Sequence, residues 1–73
     1  NKTEEILKEV DKIRKSDGVY IWAYPITYRD KRNKVEKITF GWEIEWPSGQ
    51  VSSYNVESLT YEEALNEGIK AYQ

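Results

Sequence analysis

Glu43 and Glu45 stand two residues apart in an alternating apolar run, and they come closest in this 73-residue chain to an acid–base pair. On a strand such residues are about 6.5 to 7 Å from one another, close enough for a proton donor and a base to share a substrate. Nothing adjacent in sequence would desolvate either acid, and glutamates alternating along a half-exposed strand ordinarily serve solubility. Ser and Thr are present, but His, Cys and Met are absent. Without imidazole the usual activated nucleophile is missing, and without imidazole or thiolate so is a zinc ligand set. No spacing resembles a calcium loop, and Gly18, Gly41, Gly49 and Gly68 are too scattered to cradle a phosphate. The expectation is a protein that is not an enzyme and carries no cofactor or metal.

A second cluster is basic. Arg29, Lys31, Arg32, Lys34 and Lys37 put five cations into nine residues, diluted by Asp30 and Glu36. Such a stretch could hold several phosphates, although a solvated hairpin tip is the plainer reading. Across the chain 11 basic and 13 acidic residues leave a net charge of -2, so no global field favours nucleic acid or an anionic membrane. The distribution is polar, however. Residues 1–17 carry five bases and five acids, residues 18–37 five bases and two acids, and residues 38–73 only Lys70 against six acids.

The elements that position these groups can be read from periodicity. Thr3 before Glu4 and Glu5 reads as a helix cap, and Ile6, Leu7, Val10 and Ile13 continue at helical spacing. A first helix over about residues 3–15 therefore ends at Ser16-Asp17-Gly18. Residues 19–28 and 35–46 are rich in β-branched and aromatic types, and a third strand over about 50–57 follows Pro47-Ser48-Gly49. Thr60 and Glu63 form a capping box, with Leu59 and Ala64 as a weak staple, and open a second helix whose Tyr61, Ala64, Leu65, Ile69 and Tyr72 share one face. Gly68 on that face allows close packing against the sheet. The fold class expected is α+β in the order α-β-β-β-α, one domain over residues 1–73, with a three-stranded antiparallel meander and both helices on one face.

Register decides which surface remains. If Asp30-Lys31-Arg32-Asn33 forms a type I turn with Asn33 left-handed, a three-residue loop pairs Trp22 with Trp42 and Tyr24 with Phe40, and the ten aromatics supply the core. Likewise Trp46-Pro47-Ser48-Gly49, with Gly49 left-handed, pairs Trp42 with Tyr54 and Phe40 with Val56. Val19, Ile21 and Ala23 then face outward beside Gly41 and Val51, an apolar strip on an edge strand suited to a second copy or another protein. In that arrangement Ile21→Glu would weaken association and leave the fold intact. A slip of one residue would instead send Tyr20, Trp22 and Tyr24 to the open face beside Gly41. An outward Trp22 would raise base stacking above protein docking.

No stretch is apolar enough for a membrane span or a signal peptide, and the lack of cysteine fits the cytoplasm. A first residue other than Met suggests processing. The helix-strand-strand-strand-helix order resembles the double-stranded-RNA-binding domain across the whole chain. That family places lysines at the start of its last helix, where this chain has Tyr61-Glu62-Glu63-Ala64, and its Gly-Pro-x-His loop motif is absent. The run from Gly41-Trp42-Glu43-Ile44 through Thr60-Tyr61-Glu62-Glu63-Ala64-Leu65 resembles small phage and mobile-element proteins in which strands lead into a T-x-E-E-A-L helix. The same half resembles the HicB-type antitoxin, though this chain opens on a helix and lacks that family's Pro-Asp-x-Pro-Gly turn. The resemblance implies an accessory, inhibitor or antitoxin-like protein. The reading is a non-catalytic domain that binds another protein or itself, with nucleic-acid binding through the basic hairpin as the alternative.

Overall fold

The computed structural model describes residues 1–32, 34–56 and 60–73. Helix α1 (Lys2–Asp17) is followed by strands β1 (Tyr20–Asp30), β2 (Val35–Glu45) and β3 (Val51–Val56) and by helix α2 (Tyr61–Tyr72). The strands form one antiparallel sheet in the order β1-β2-β3, which makes the protein an α+β fold of the expected order. Both helices pack on the sheet face that carries Ile21 and Ile44, since Ile13 of α1 and Ile69 of α2 join those two residues in one cluster. No helix among the described residues is long and apolar enough to cross a membrane.

The helix ends follow local chemistry. Asn1, not Thr3, caps α1, its side-chain oxygen accepting from the Glu4 amide at 2.9 Å. Thr3 is used differently, donating its hydroxyl to the Glu62 carboxylate and so tying the start of α1 to the start of α2. Gly18 ends α1 in the left-handed region (φ 69°), with its amide donating to the Arg14 carbonyl. At α2 the Thr60 hydroxyl accepts from the Glu63 amide and the Glu63 carboxylate accepts from the Thr60 amide, the reciprocal capping box that the sequence predicts. The expected left-handed Asn33 and the Leu59 partner of the hydrophobic staple lie outside the described residues.

The second hairpin has the predicted geometry. Gly49 (φ 89°) closes it, its amide donating to the Trp46 carbonyl at 2.8 Å, and Trp42 faces Tyr54 while Phe40 faces Val56. The first hairpin does not. Strand β1 ends at Asp30 opposite Val35, so the loop holds four residues instead of three, and Lys34 takes a positive φ of 52°. One added loop residue moves the pairing by one and turns every β1 side chain to the opposite face. Trp22 therefore lies opposite Glu43, Tyr24 opposite Gly41, and Ile21 opposite Ile44. The expected Trp22–Trp42 and Tyr24–Phe40 pairs do not form.

That slip changes the core. The buried apolar residues are Ile13, Val19, Ile21, Ile44, Ala64, Leu65 and Ile69, so aliphatic side chains fill the space between sheet and helices, not aromatic ones. Rings seal the margin of this layer in three pairs: Phe40 edge-on to Tyr61, Trp42 beside Tyr54 and Trp46 beside Tyr72, with centroids about 6 Å apart. The indole of Trp46 satisfies its N–H on the Ser52 hydroxyl at 3.1 Å. Beyond Phe40 the helices no longer cover the hairpin, and Ile38 on the helix side is 64% exposed. The hairpin therefore projects as an arm. The radius of gyration, 13.8 Å, reflects this, against about 11 Å for a compact chain of this length.

Candidate functional site

With both helices on one face, the other face of the sheet is bare. On β1 it presents Tyr20, Trp22, Tyr24 and Ile26; opposite them on β2 stand Glu45, Glu43, Gly41 and Thr39; β3 adds Val51 and Ser53. Successive β1 residues on this face are about 6.6 Å apart, so the four form a continuous column of roughly 20 Å along an edge strand. Trp22, Tyr24 and Ile26 are half-buried although no helix covers them, and Gly41 and Thr39 on the central strand are buried. The residues of this face together bury the central strand at Gly41 and Thr39. A glycine facing an aromatic residue across an antiparallel pair lets the ring lie flat on the backbone, and Tyr24 directly opposite Gly41, with Trp22 one step along, fits that arrangement. The result is an aromatic column on β1 beside a buried Gly41 and Thr39 on β2.

Charge grades along this surface. At the end near the second hairpin, Glu43 faces Trp22 and Glu45 faces Tyr20. At the opposite end Lys37 shares the face, and Lys31, Arg32 and Lys34 fill the turn beyond it. Arg29, on the helix side of the arm, pairs with Glu36 at 3.4 Å. Both partners are well exposed, so the pair contributes little beyond about 1 kcal/mol. Together with Lys31 and Lys34 they line an open hollow of about 490 Å³ at the arm's tip. Its lining can attract an anion. Near the acidic end α1 reaches the sheet edge: Asp11, bonded to Arg14 at 2.6 Å and to Lys15 at 3.0 Å, is held below its ordinary carboxylate range by those two hydrogen bonds. Arg14 is raised in turn, chiefly by Asp11 and to a lesser degree by the Tyr20 hydroxyl.

The docking strip expected from the sequence is not assembled. Val19 and Ile21 are 3% and 4% exposed, beneath the helices, and Ala23 lies on that same face opposite Trp42. Gly41 and Val51 lie on the other side of the sheet, Val51 half-exposed and Gly41 buried. The cause is the four-residue first loop. Ile21→Glu would set a carboxylate among Ile13, Ile44 and Ile69, so it is a folding mutation and not a probe of association. The basic set Arg29, Lys31, Arg32, Lys34 and Lys37 is exposed at the arm as the sequence implies, divided between the turn and the two sheet faces.

The sequence presents Tyr20, Trp22 and Tyr24 as an open face only in the slipped register, and it does not single out Ile26. Apolar residues of both parities in β1 leave alternation unable to choose a face. The usable signal is Gly68: an alanine methyl there would stand 2.9 Å from Ile21 Cγ2, so the β1 residue beneath it must be slim, and the three-residue loop would put the Tyr20 ring in that place. Among the described residues no group of three or more acidic, His or Cys side chains could hold a metal ion. Comparison of the chain with protein families, with curated proteins and with solved structures found no match.

Proposed function

We propose that this protein is a small non-catalytic docking domain that binds another protein through the open aromatic face of its sheet. The observation that carries the reading is the column Tyr20, Trp22, Tyr24 and Ile26 on a face that neither helix covers. Tyr and Trp are enriched in the cores of protein interfaces because they bring large area at low entropic cost, and acids and lysines at the ends of such a patch make a rim that orients the partner. An outward Trp22 by itself would favour base stacking. The register that turns it outward also sets Glu43 and Glu45 beside the rings, however, and these acids repel a phosphate backbone from the platform. A cysteine-free chain suits a reducing cytoplasm, and the T-x-E-E-A-L helix suits a phage or mobile-element accessory, inhibitor or antitoxin-like protein.

The test uses photo-crosslinking residues placed singly at Val51, on the open face, and at Leu7, on the outside of α1. Partner cross-links should form from Val51 and not from Leu7, and Trp22→Ser together with Tyr20→Ser should abolish them while the protein stays folded. Equal cross-linking from both positions, or capture unchanged by the two substitutions, would refute docking on this face.

A second reading rests on a separate observation, the projecting arm. Residues 29–37 carry five bases and two acids on a two-stranded ribbon, and such a ribbon fits the major groove of duplex DNA. If the arm binds nucleic acid, an oligonucleotide should bind in 50 mM salt, weaken steeply by 200 mM, and be lost when Arg29, Lys31, Arg32 and Lys34 become Ser. No change in oligonucleotide anisotropy at low salt would end this reading.

A further inference from the structure

We infer that the open face is built to take a second copy of this chain, packed face to face with the strands of the two sheets running in opposite directions. The inference rests on the docking reading above and names its occupant. Its warrant is that the face is complementary to itself. Two acids lie at one end (Glu43, Glu45), Lys37 near the other, ahead of the last row, Asp30–Val35, and the basic turn, and uncharged residues in between (Tyr24, Gly41, Ile26, Thr39).

Two-fold pairing of two such faces leaves two simple choices of axis, both lying in the plane between the sheets. An axis parallel to the strands would stack Glu43 on Glu43 and Lys37 on Lys37, placing like charges together at both ends. An axis perpendicular to the strands reverses one copy end for end. With that axis midway between the Tyr24–Gly41 and Ile26–Thr39 rows, Gly41 meets the other copy's Thr39 and Tyr24 meets its Ile26. Glu43 then meets the other copy's Lys37, and the Tyr20–Glu45 row meets the Asp30–Val35 row, one residue short of Lys34, so Glu43–Lys37 is the pair that carries the charge match. Each contact occurs twice. Within one chain Glu43 and Lys37 are six residues apart on β2, roughly 20 Å, so they are not partners in the monomer. The grading of charge thus has no internal counterpart, while a reversed copy supplies it at both ends.

The size of the face sets the expected strength. Ten residue steps of about 3.3 Å on β1 and β2 and five on the shorter β3, each strand about 4.8 Å wide, give a projected area of roughly 400 Å² per copy, or about 800 Å² for the pair. That lies below the roughly 1,000 Å² of a stable specific interface and points to a weak dimer, dissociating at tens of micromolar or above. The end contacts are solvent-accessible, so salt should weaken the dimer as it screens them.

Sedimentation equilibrium on the intact chain, from about 10 µM to 1 mM and at low and high salt, reads the pairing directly. Wild type should dimerise, more weakly at high salt. Glu43→Lys and Lys37→Glu should each raise the dissociation constant about tenfold or more, because each replaces two attractive contacts with two repulsive ones. The double variant carrying both changes should return to within about threefold of wild type. Circular dichroism establishes that each variant is folded. The lack of native cysteine gives a second readout that needs no charge reversal. A mixture of Glu43→Cys and Lys37→Cys chains should form disulfide-linked dimers faster than either alone. A monomer at every concentration, single reversals without effect, a double variant as weak as the singles, or faster linkage of Glu43→Cys to itself would each overturn the inference. A monomeric wild type whose Val51 cross-links to a different protein are lost with Trp22→Ser would overturn self-pairing and leave the docking reading standing. Loss of neither association nor cross-links on changing Trp22 and Tyr20 would remove both.

Discussion

Replacing Gly68 with alanine sets a gain in helix propensity against a steric cost, and the structure decides the sign. In a helix interior the exchange is worth about 1 kcal/mol in favour of alanine, and burying the new methyl would add up to about 0.8 kcal/mol if there were room. Room is missing. The methyl would lie 2.9 Å from Ile21 Cγ2, 3.3 Å from Trp42 Cβ and 3.5 Å from Trp42 Cγ. Carbon atoms pack best at about 3.5 to 4.0 Å, so the closest contact is short by roughly 0.6 to 1 Å. Neither near atom can swing away. Cγ2 is one bond from the Cβ of a β-branched residue with a stiff χ1, and Trp42 Cβ is fixed to the backbone. Helix α2 would have to lift, loosening Leu65 and Ile69 against the sheet. Overpacking costs about 1 to 3 kcal/mol, and with two fixed atoms inside contact distance the upper half of that range applies, so Gly68→Ala should destabilise the protein by about 1 to 2 kcal/mol net, lowering Tm by roughly 4 to 16 °C. Urea denaturation followed by circular dichroism measures it. The cause is isolated by repeating the exchange in an Ile21→Ala background, where Cγ2 is gone and Gly68→Ala should become neutral or stabilising. A Gly68→Ala protein as stable as wild type with Ile21 in place would refute the argument, because α2 would then be free to ride higher on the sheet.

Other substitutions follow from the same packing. Ile21→Glu should leave the chain unfolded by circular dichroism, whereas Trp22→Ser on the open face should retain a cooperative melt. Trp42→Ala removes a ring that sits under Gly68 and beside Tyr54, and should cost about 3 kcal/mol in urea denaturation. Thr60→Ala breaks the capping box and should cost about 1 kcal/mol by the same assay, with much of it recovered in Thr60→Ser. Because the folded protein depresses the Asp11 carboxyl below its ordinary 3.8, the stabilisation from its bonds to Arg14 and Lys15 is present above that pH and is lost as pH falls through the lower folded value. Asp11→Asn should therefore give a shallower fall of Tm on the acid limb than wild type.

Where one local interaction determined an outcome, the sequence was sufficient to read it. The Thr60–Glu63 box, the end of α1 at Gly18, the left-handed Gly49, the second hairpin's register and the close packing at Gly68 all depend on residues within a few positions of one another or on a single steric fact. The cap of α1 was read two positions late because Asn1 and Thr3 both suit the role, and the tie from Thr3 to Glu62, fifty-nine residues on, is invisible locally. The face of β1 was misread for a related reason. A loop of three or four residues between Asp30 and Val35 is decided by whether Lys34 accepts a positive φ, a small energy that tertiary packing overrides. Local turn preference pointed to three, and the candidate site moved to the other side of the sheet with that one residue.

The contact between Gly68 and Ile21 explains why the longer loop prevails, and it joins stability to the proposed surface. In the shorter-loop register Tyr20 would take the place of Ile21 and Trp22 that of Ala23 in the helix layer, yet α2 approaches so closely at Gly68 that not even a methyl group fits above Ile21. With Trp42 already beneath Gly68 on β2, the sheet can accept α2 at that distance only if the neighbouring β1 side chain is slim, and Ile21 and Ala23, continuing from Val19, are the slim parity of that edge. Selecting them for the core necessarily turns Tyr20, Trp22 and Tyr24 outward. The aromatic face thus follows from how tightly the last helix sits on the sheet. A larger residue at position 68 should accordingly do more than destabilise: by pushing α2 away it removes the steric reason for the register, and the open face should lose order along with the core. Amide exchange along β1 in Gly68→Leu tests this, since protection retained from Ile21 to Ile26 would separate the register from the helix contact.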